Sequence, residues 1–496
     1  MRVDSTRAAP LLIFGLDAAD PDLLLGWAGN GSLPAVAALL GRGASARLET
    51  PDTVSVHEIW TTAFSGVPLR THGHYGRRVL EPGTYRLRAL RPDDIPALPF
   101  WSRFQGTQRS ALVFDVPDAK LLPGLAGFQI LGWGEHPTPA RAVSHPPGIL
   151  EDARRRVGRP IRTDEREVGR AWDRWVLRRI LARVERKRAL CELLLSESSP
   201  DVAVVVFGDS HAGGHRFSRY LPPAGAVAED GLGSALLEIY RAIDRAIGDL
   251  VRRFGEAANV VVVSNGGIRE GYAVGALMQS FCTRLGYTVP LAATPLARRE
   301  EGRASPWQRS MGRLAPSRFF RSLRKAPDLA DVDWSKTNAF AIPSDHTGYL
   351  RVNLKGREPG GIVARGEEYE SVLERLESDL RELVDESTGE PVIERTVRAS
   401  ALPGAGPPDN LPDLFVEWRS RRALPRRVLH SRAVLEPPPT GRDRDNHHSR
   451  QGLVIAAGPS ISHQRWTGTL KPIELAPIFL ELLGEPALAC EVRGGA

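Results

Sequence analysis

The chain has 496 residues, 42% hydrophobic and 25% charged, with 48 Gly and 39 Pro, a globular composition that excludes disordered, collagen-like and coiled-coil architectures. Its three cysteines, Cys191, Cys282 and Cys490, are widely spaced with no CxxC pair, which excludes a disulfide framework and a cysteine zinc finger. The net charge of +7 comes from 66 Lys and Arg against 59 Asp and Glu, and six of the 66 are Lys; an arginine bias spread over a whole chain reflects base composition before function, so specific nucleic-acid binding is not expected.

Leu11–Asp17 is a short apolar run ending in an acid, and a helical segment follows from Pro21. The run Leu11-Leu12-Ile13-Phe14 is too short for a signal-peptide core. No apolar run approaches the roughly 20 residues that cross a bilayer, so a soluble, cytoplasmic protein without a membrane partner is expected. Thr53–Thr62 reads as a loop running into a helix that ends near Gly66. Ala111–Asp115 is a second apolar run, Asp201–Asp209 a third and Asn259–Asn265 a fourth, with a further one at Leu453–Ala457. A long amphipathic stretch, Trp172 to Leu194, precedes the third run. Between the third and fourth runs, Leu236, Leu237, Tyr240, Ile243, Ile247, Leu250 and Val251 form one helical stripe. Continuous β-branched runs without alternation suit strands buried on both faces. The reading is an α/β protein with a large, mostly parallel central sheet flanked by helices on both faces. Pro290 to Pro327 reads as an Arg/Pro-rich insert and Ala401 to Asn410 as a Gly/Pro connector. Residues 1–289 and 333–496 are then two parts of one core interrupted by an insert at 290–332.

In such sheets the chemistry sits beyond the carboxyl ends of the strands, and the four runs end in Asp17, Asp115, Asp209 and Asn265. The strongest constellation is Asp209-Ser210-His211-Ala212-Gly213-Gly214-His215, an acid followed by two His at i and i+4. Imidazole and carboxylate suit Zn²⁺ and similar divalent ions. Asp443-Arg444-Asp445-Asn446-His447-His448, just before the Leu453–Ala457 run, is a second polar cluster. Thr53, Ser55 and His57 precede Ile59-Trp60-Thr61-Thr62. A hydroxyl at a helix N-terminus is placed either to meet phosphate as a nucleophile or simply to cap the helix.

Taken in order, these pieces resemble the alkaline phosphatase superfamily, in its type I phosphodiesterase/nucleotide pyrophosphatase branch. They are the Gly15-Leu16-Asp17 strand end, Trp60-Thr61-Thr62, Gly66…Pro68…His72-Gly73, His211-x-x-x-His215, Val260–Ser264 and His448-x-x-x-Gly452. The stretch Asn353-Leu354-Lys355-Gly356-Arg357-Glu358-Pro359-Gly360-Gly361-Ile362-Val363 resembles the same branch. The resemblance implies two divalent metals, usually Zn²⁺, astride a Ser or Thr nucleophile. One ion falls to His211, His215 and His448. The other needs Asp17, the nucleophile and a strand-end Asp-His pair. This chain instead reads Ser264-Asn265-Gly266-Gly267, so Asn265 and Gly266 mark a degenerate second site, and the protein as a whole is expected to hold one or two divalent ions. Ser55, alternatively Thr53, is the expected nucleophile, with His57, Asp209 and His447 as possible auxiliaries. The expected activity is metal-dependent hydrolysis of a small phosphorylated substrate, a diester or pyrophosphate, through a covalent intermediate. The alternatives are a catalytically degenerate member that binds a phosphorylated ligand or partner, and a phosphoryl or sulfuryl transferase. The oligomeric state is not indicated.

Overall fold

The computed structural model describes residues 8–51, 56–134, 142–163, 169–222, 231–255, 257–270, 277–291, 329–344, 347–405, 410–419, 425–436, 446–462, 466 and 468–486. The side chains of residues 56, 57, 269, 270, 330, 446 and 447 lie outside that description. Chain contacts divide the protein into two units. The first comprises 1–74, 91–270 and 445–496, the second 75–90 and 271–444.

The first unit is built on a nine-stranded sheet. In chain order its strands are β1 (Leu11–Leu16), β2 (Ala44–Glu49), β3 (Ser110–Phe114), β4 (Ala126–Leu131), β5 (Val143–His145), β6 (Val202–Phe207) and β7 (Asn259–Ser264). A two-stranded ribbon of β8 (Gly267–Glu270) and β9 (Asn446–Ser449) follows. The sheet is completed by β10 (Gln451–Ala457) and β11 (Thr469–Leu470). The spatial order is β11-β2-β10-β7-β1-β6-β3-β4-β5. Strands β7, β1, β6, β3 and β4 run parallel. β10 is antiparallel to both β7 and β2.

The apolar runs are continuous because both faces of the sheet are covered. All six residues of β1, β6 and β7 are buried. In β1 the side chains alternate between two cores. Leu12, Phe14 and Leu16 point to one core, with the helices α1 (Pro21–Gly29), α2 (Pro34–Arg42), α4 (Arg170–Glu197) and α6 (Ala235–Phe254). The helix α3 (Val56–Ser65) and α7 (Leu475–Leu482) belong to the opposite core, with Leu11 and Ile13. Fully burying one such aliphatic side chain contributes about 1.5–3 kcal/mol, so this double-sided sheet is the dominant source of the unit's stability. Among the described residues no single helix is long and apolar enough to cross a membrane.

Register aligns the chemistry. Leu16 at the end of β1 pairs with Phe207 of β6 and with Ser264 of β7. Asp17, Gly208 and Asn265 therefore leave the sheet side by side. β10 runs the other way, with Leu453 opposite Ser264, so its beginning lies at that same edge and the preceding ribbon brings His448 there.

The second unit has its own four-stranded antiparallel sheet, ordered Ala339–Ile342, Gly348–Val352, Leu414–Trp418 and Ile393–Arg398. Helices Leu277–Arg284 and Glu367–Arg381 supply Met278, Phe281, Leu373, Leu376 and Leu380 to a core of its own. Its limits differ from the breaks at 290 and 333 expected from the sequence, because strands resume on both sides of 292–328 and nothing local marks the change of core. The segment 292–328 itself lies outside the described residues.

Candidate metal centre

The chain turns from β6 through Gly208 directly into α5 (Asp209–Phe217). Four residues make about one helical turn, so His211 and His215 share a face of α5. The third imidazole, His448, stands opposite Ile268 in the β8–β9 ribbon. Helix and ribbon come close because Gly214 has no side chain: a Cβ there would lie 2.7 Å from Ile268 Cδ1. The ring centroids of His211, His215 and His448 are 4.7, 5.0 and 4.8 Å apart. Nε2 of His215 lies 3.2 Å from Nε2 of His448, and each ring offers one nitrogen within 4.8 Å of the others. Zn–N bonds of about 2.0–2.1 Å in tetrahedral geometry put bound nitrogens roughly 3.3 Å apart, so this donor set fits a divalent ion of that kind.

Asp17, fully buried, stands against the triad with Oδ2 3.3 Å from His211 Nδ1. Its Oδ1 accepts two hydrogen bonds, from Trp60 Nε1 at 2.9 Å and from Asn265 Nδ2 at 2.9 Å. Trp60 reaches this carboxylate because Gly15 in β1 lets the indole lie on the strand; a Cβ at Gly15 would meet Trp60 Cη2 at 2.9 Å. Between Asp17 and Ala19 the chain takes a left-handed turn at Ala18, φ 49°, a conformation that costs a non-glycine residue on the order of 1–2 kcal/mol. The Ala18 N–H donates to Asn265 Oδ1 at 2.8 Å and helps hold that turn. Strain of this kind collects where surrounding contacts over-determine a functional backbone.

Asp209 has a different environment from the one its spacing suggests. Its Oδ1 accepts from Arg183 Nε at 2.6 Å, and its Oδ2 lies 3.8 Å from Lys187 Nζ. Lys187 also donates to Asp115 Oδ2 at 2.8 Å and to the Val206 carbonyl at 2.6 Å. Two cations one turn apart on α4 thus meet the acids at the ends of β3 and β6, all four buried. Asp209 anchors the start of α5 under the histidines.

His72 is buried and neutral: desolvation lowers its pKa to about 3. Its Nδ1 accepts from the His74 N–H at 3.0 Å, so its proton is on Nε2, 3.0 Å from Thr62 Oγ1. His72 thus ties its turn to α3. Ser55 and Thr53 lie outside the described residues, as do the side chains of His57 and His447. Gly266 follows Asn265 with φ 150°. The Asp345-His346 pair and His463 are also outside the description.

Sequence reasoning did not find Trp60 or Asn265 as partners of Asp17, nor Arg183 and Lys187. A signal existed for the last two: they are charged residues i, i+4 on the buried stripe of α4. For Trp60 there was none, because its reach depends on a glycine in another element.

An α/β sheet with a histidine triad and an acid at its carboxyl edge defines an alkaline phosphatase-like hydrolase fold. The family model for type I phosphodiesterase / nucleotide pyrophosphatase matches residues 11–419, and the chain belongs to that family, as its motifs indicated. Asp17, His211 and His215 fall within the match, whereas His448 lies beyond it. Among solved structures the chain is similar to phosphonoacetate hydrolase from Sinorhizobium meliloti, determined with phosphonoformate. The identity is 14%, the TM-score 0.51, and 96% of each chain is covered; the likeness is one of fold. It also matches murine ectonucleotide pyrophosphatase/phosphodiesterase 5, in an inactive form with AMP, at 11% identity and TM-score 0.48, covering 98% of this chain and 97% of that one. None of the curated proteins searched matches it.

Proposed function

We propose that this chain is a metal-dependent hydrolase of phosphate esters, acting on diester or pyrophosphate bonds of small phosphorylated substrates. The observation that carries the reading is the convergence of His211, His215 and His448 at ligand spacing beside Asp17. A divalent ion held by these imidazoles would supply Lewis-acid charge against phosphoryl oxygens. The protein's own contribution begins with a hydroxyl, Ser55 or alternatively Thr53, standing in sequence just before α3. The first backbone N–H groups of a helix lack intrahelical partners and favour an anionic phosphoryl group. Attack by the hydroxyl oxygen on phosphorus forms a Ser–O–P bond as the ester oxygen leaves. Water then cleaves that bond and restores the hydroxyl. Family membership and the histidine triad support this reading.

The test is hydrolysis of a bis-aryl phosphodiester by the full chain, with metal content measured in parallel. His215→Ala is expected to lower both bound metal and turnover, and Ser55→Ala turnover alone. Undiminished hydrolysis by EDTA-stripped protein and by His215→Ala would sink the proposal. Metal bound at the triad without turnover of diester, pyrophosphate or monoester would favour the second reading, a phosphoryl-ligand binder. That reading draws on Asn265 and Gly266 at positions where the family resemblance expects ligands.

A further inference from the structure

We infer that this site is built for one divalent ion, held by His211, His215 and His448, and that Asp17 is turned to that ion instead of serving as ligand to a second one. The inference rests on the metal dependence proposed above.

The first argument is the hydrogen-bond chemistry of Asp17. Its Oδ1 accepts from two N–H groups, Trp60 Nε1 and Asn265 Nδ2, each at 2.9 Å. Asn265 cannot be turned over to offer its oxygen. Its Oδ1 accepts the Ala18 N–H at 2.8 Å, and a flipped amide would set oxygen against carboxylate and N–H against N–H. A donor is therefore locked in the place where a second cation would need an acceptor.

The second argument is the other oxygen. Oδ2 faces His211 Nδ1 at 3.3 Å. That is also the spacing of two ligands on one tetrahedral ion, so Oδ2 is turned to the histidine ion and not to a second one.

The third argument is the backbone. Gly266 has φ 150°, a region that residues with side chains rarely adopt. The single Ser264 hydroxyl proton is shared between the Gly266 carbonyl, 2.8 Å from Oγ, and the Ala19 carbonyl. The strand end is thus held in a conformation unsuited to an imidazole at 266. The second site differs in backbone as well as in side chains.

The test uses the full chain loaded with Co²⁺, desalted, and analysed by elemental stoichiometry and visible absorption. One ion per chain is expected. Asp17→Asn should keep that stoichiometry, weaken Co²⁺ binding about 10–100-fold and shift the d–d bands, because the histidine ion loses its anionic neighbour. Asn265→Asp, should Asp17→Asn fail to fold, removes the locked donor; it is expected to raise the Co²⁺ dependence of thermal stability. Two ions per chain in the wild type, with Asp17→Asn losing one while the other keeps its affinity and spectrum, would overturn the inference and leave the proposed function standing. No bound ion in the wild type would overturn the metal dependence itself, and this inference with it.

Discussion

Replacing Asp209 by Asn separates a ligand from an anchor. Asp209 and Asp115 together balance Arg183 and Lys187, and all four are buried. The amide keeps the shape of the side chain but removes one negative charge from a four-charge cluster. Arg183 Nε, 2.6 Å from Asp209 Oδ1, then faces a neutral oxygen, and Lys187 keeps the Asp115 carboxylate at 2.8 Å and the Val206 carbonyl at 2.6 Å. Breaking a buried pair from one side costs about 3–5 kcal/mol. With roughly 2–4 °C of Tm per kcal/mol in a domain of this size, the loss should be on the order of 10 °C. Differential scanning calorimetry and urea unfolding would measure it, with metal stoichiometry determined on the same samples. The stoichiometry is expected to stay at the wild-type value, because Asp209 faces α4. Combining Asp209→Asn with Arg183→Met leaves the Lys187–Asp115 pair neutral and should recover much of the loss, a coupling that a double-mutant cycle reads directly. A variant with unchanged Tm that loses its metal would refute the reasoning and return Asp209 to the ligands.

Two further outcomes follow from the same geometry. His72 has a folded-state pKa of about 3 against 6.5 for the unfolded chain, so between those values the unfolded state binds the extra proton. Stability should therefore fall as pH drops from about 7 towards 3, and His72→Gln should flatten that slope in urea titrations at stepped pH; an unaltered slope would count against a neutral buried His72. Gly214→Val would drive a side chain into Ile268, whose Cβ lies 3.2 Å from the Cβ position at 214. Overpacking of this kind costs about 1–3 kcal/mol, and because Ile268 is opposite His448, Co²⁺ affinity should drop along with the urea midpoint. Wild-type affinity in that variant would mean that the ribbon does not set the triad.

Much of this protein is written locally. The runs at Leu11, Val202 and Asn259 are apolar throughout because each strand is covered on both faces, and that requirement shows in composition without any knowledge of neighbours. The helical stripe at Leu236, Tyr240, Ile243, Ile247 and Leu250 is equally local, since periodicity alone creates a face. His211 and His215 could be paired from spacing, because one helical turn brings them together wherever α5 is placed. The order of motifs placed the chain in its family.

Other features depend on through-space arrangement. The separate core of residues 75–90 and 271–444 left no local mark, since its strands resemble those of the main sheet. The antiparallel course of β10, which brings His448 to the same edge as Asp17, depends on pairing between segments some 190 residues apart in sequence. The partners of Asp17 are likewise non-local. Trp60 is 43 residues away and Asn265 is 248, and the orientation of that amide is decided by a backbone N–H belonging to a third residue. The sequence by itself determined the fold class, the pairing of His211 with His215 on one helical turn, and the presence of Asn and Gly at 265 and 266. Only the tertiary structure decided what Asn265 does instead, because hydrogen-bond direction is a property of groups brought together in space and not of their order along the chain.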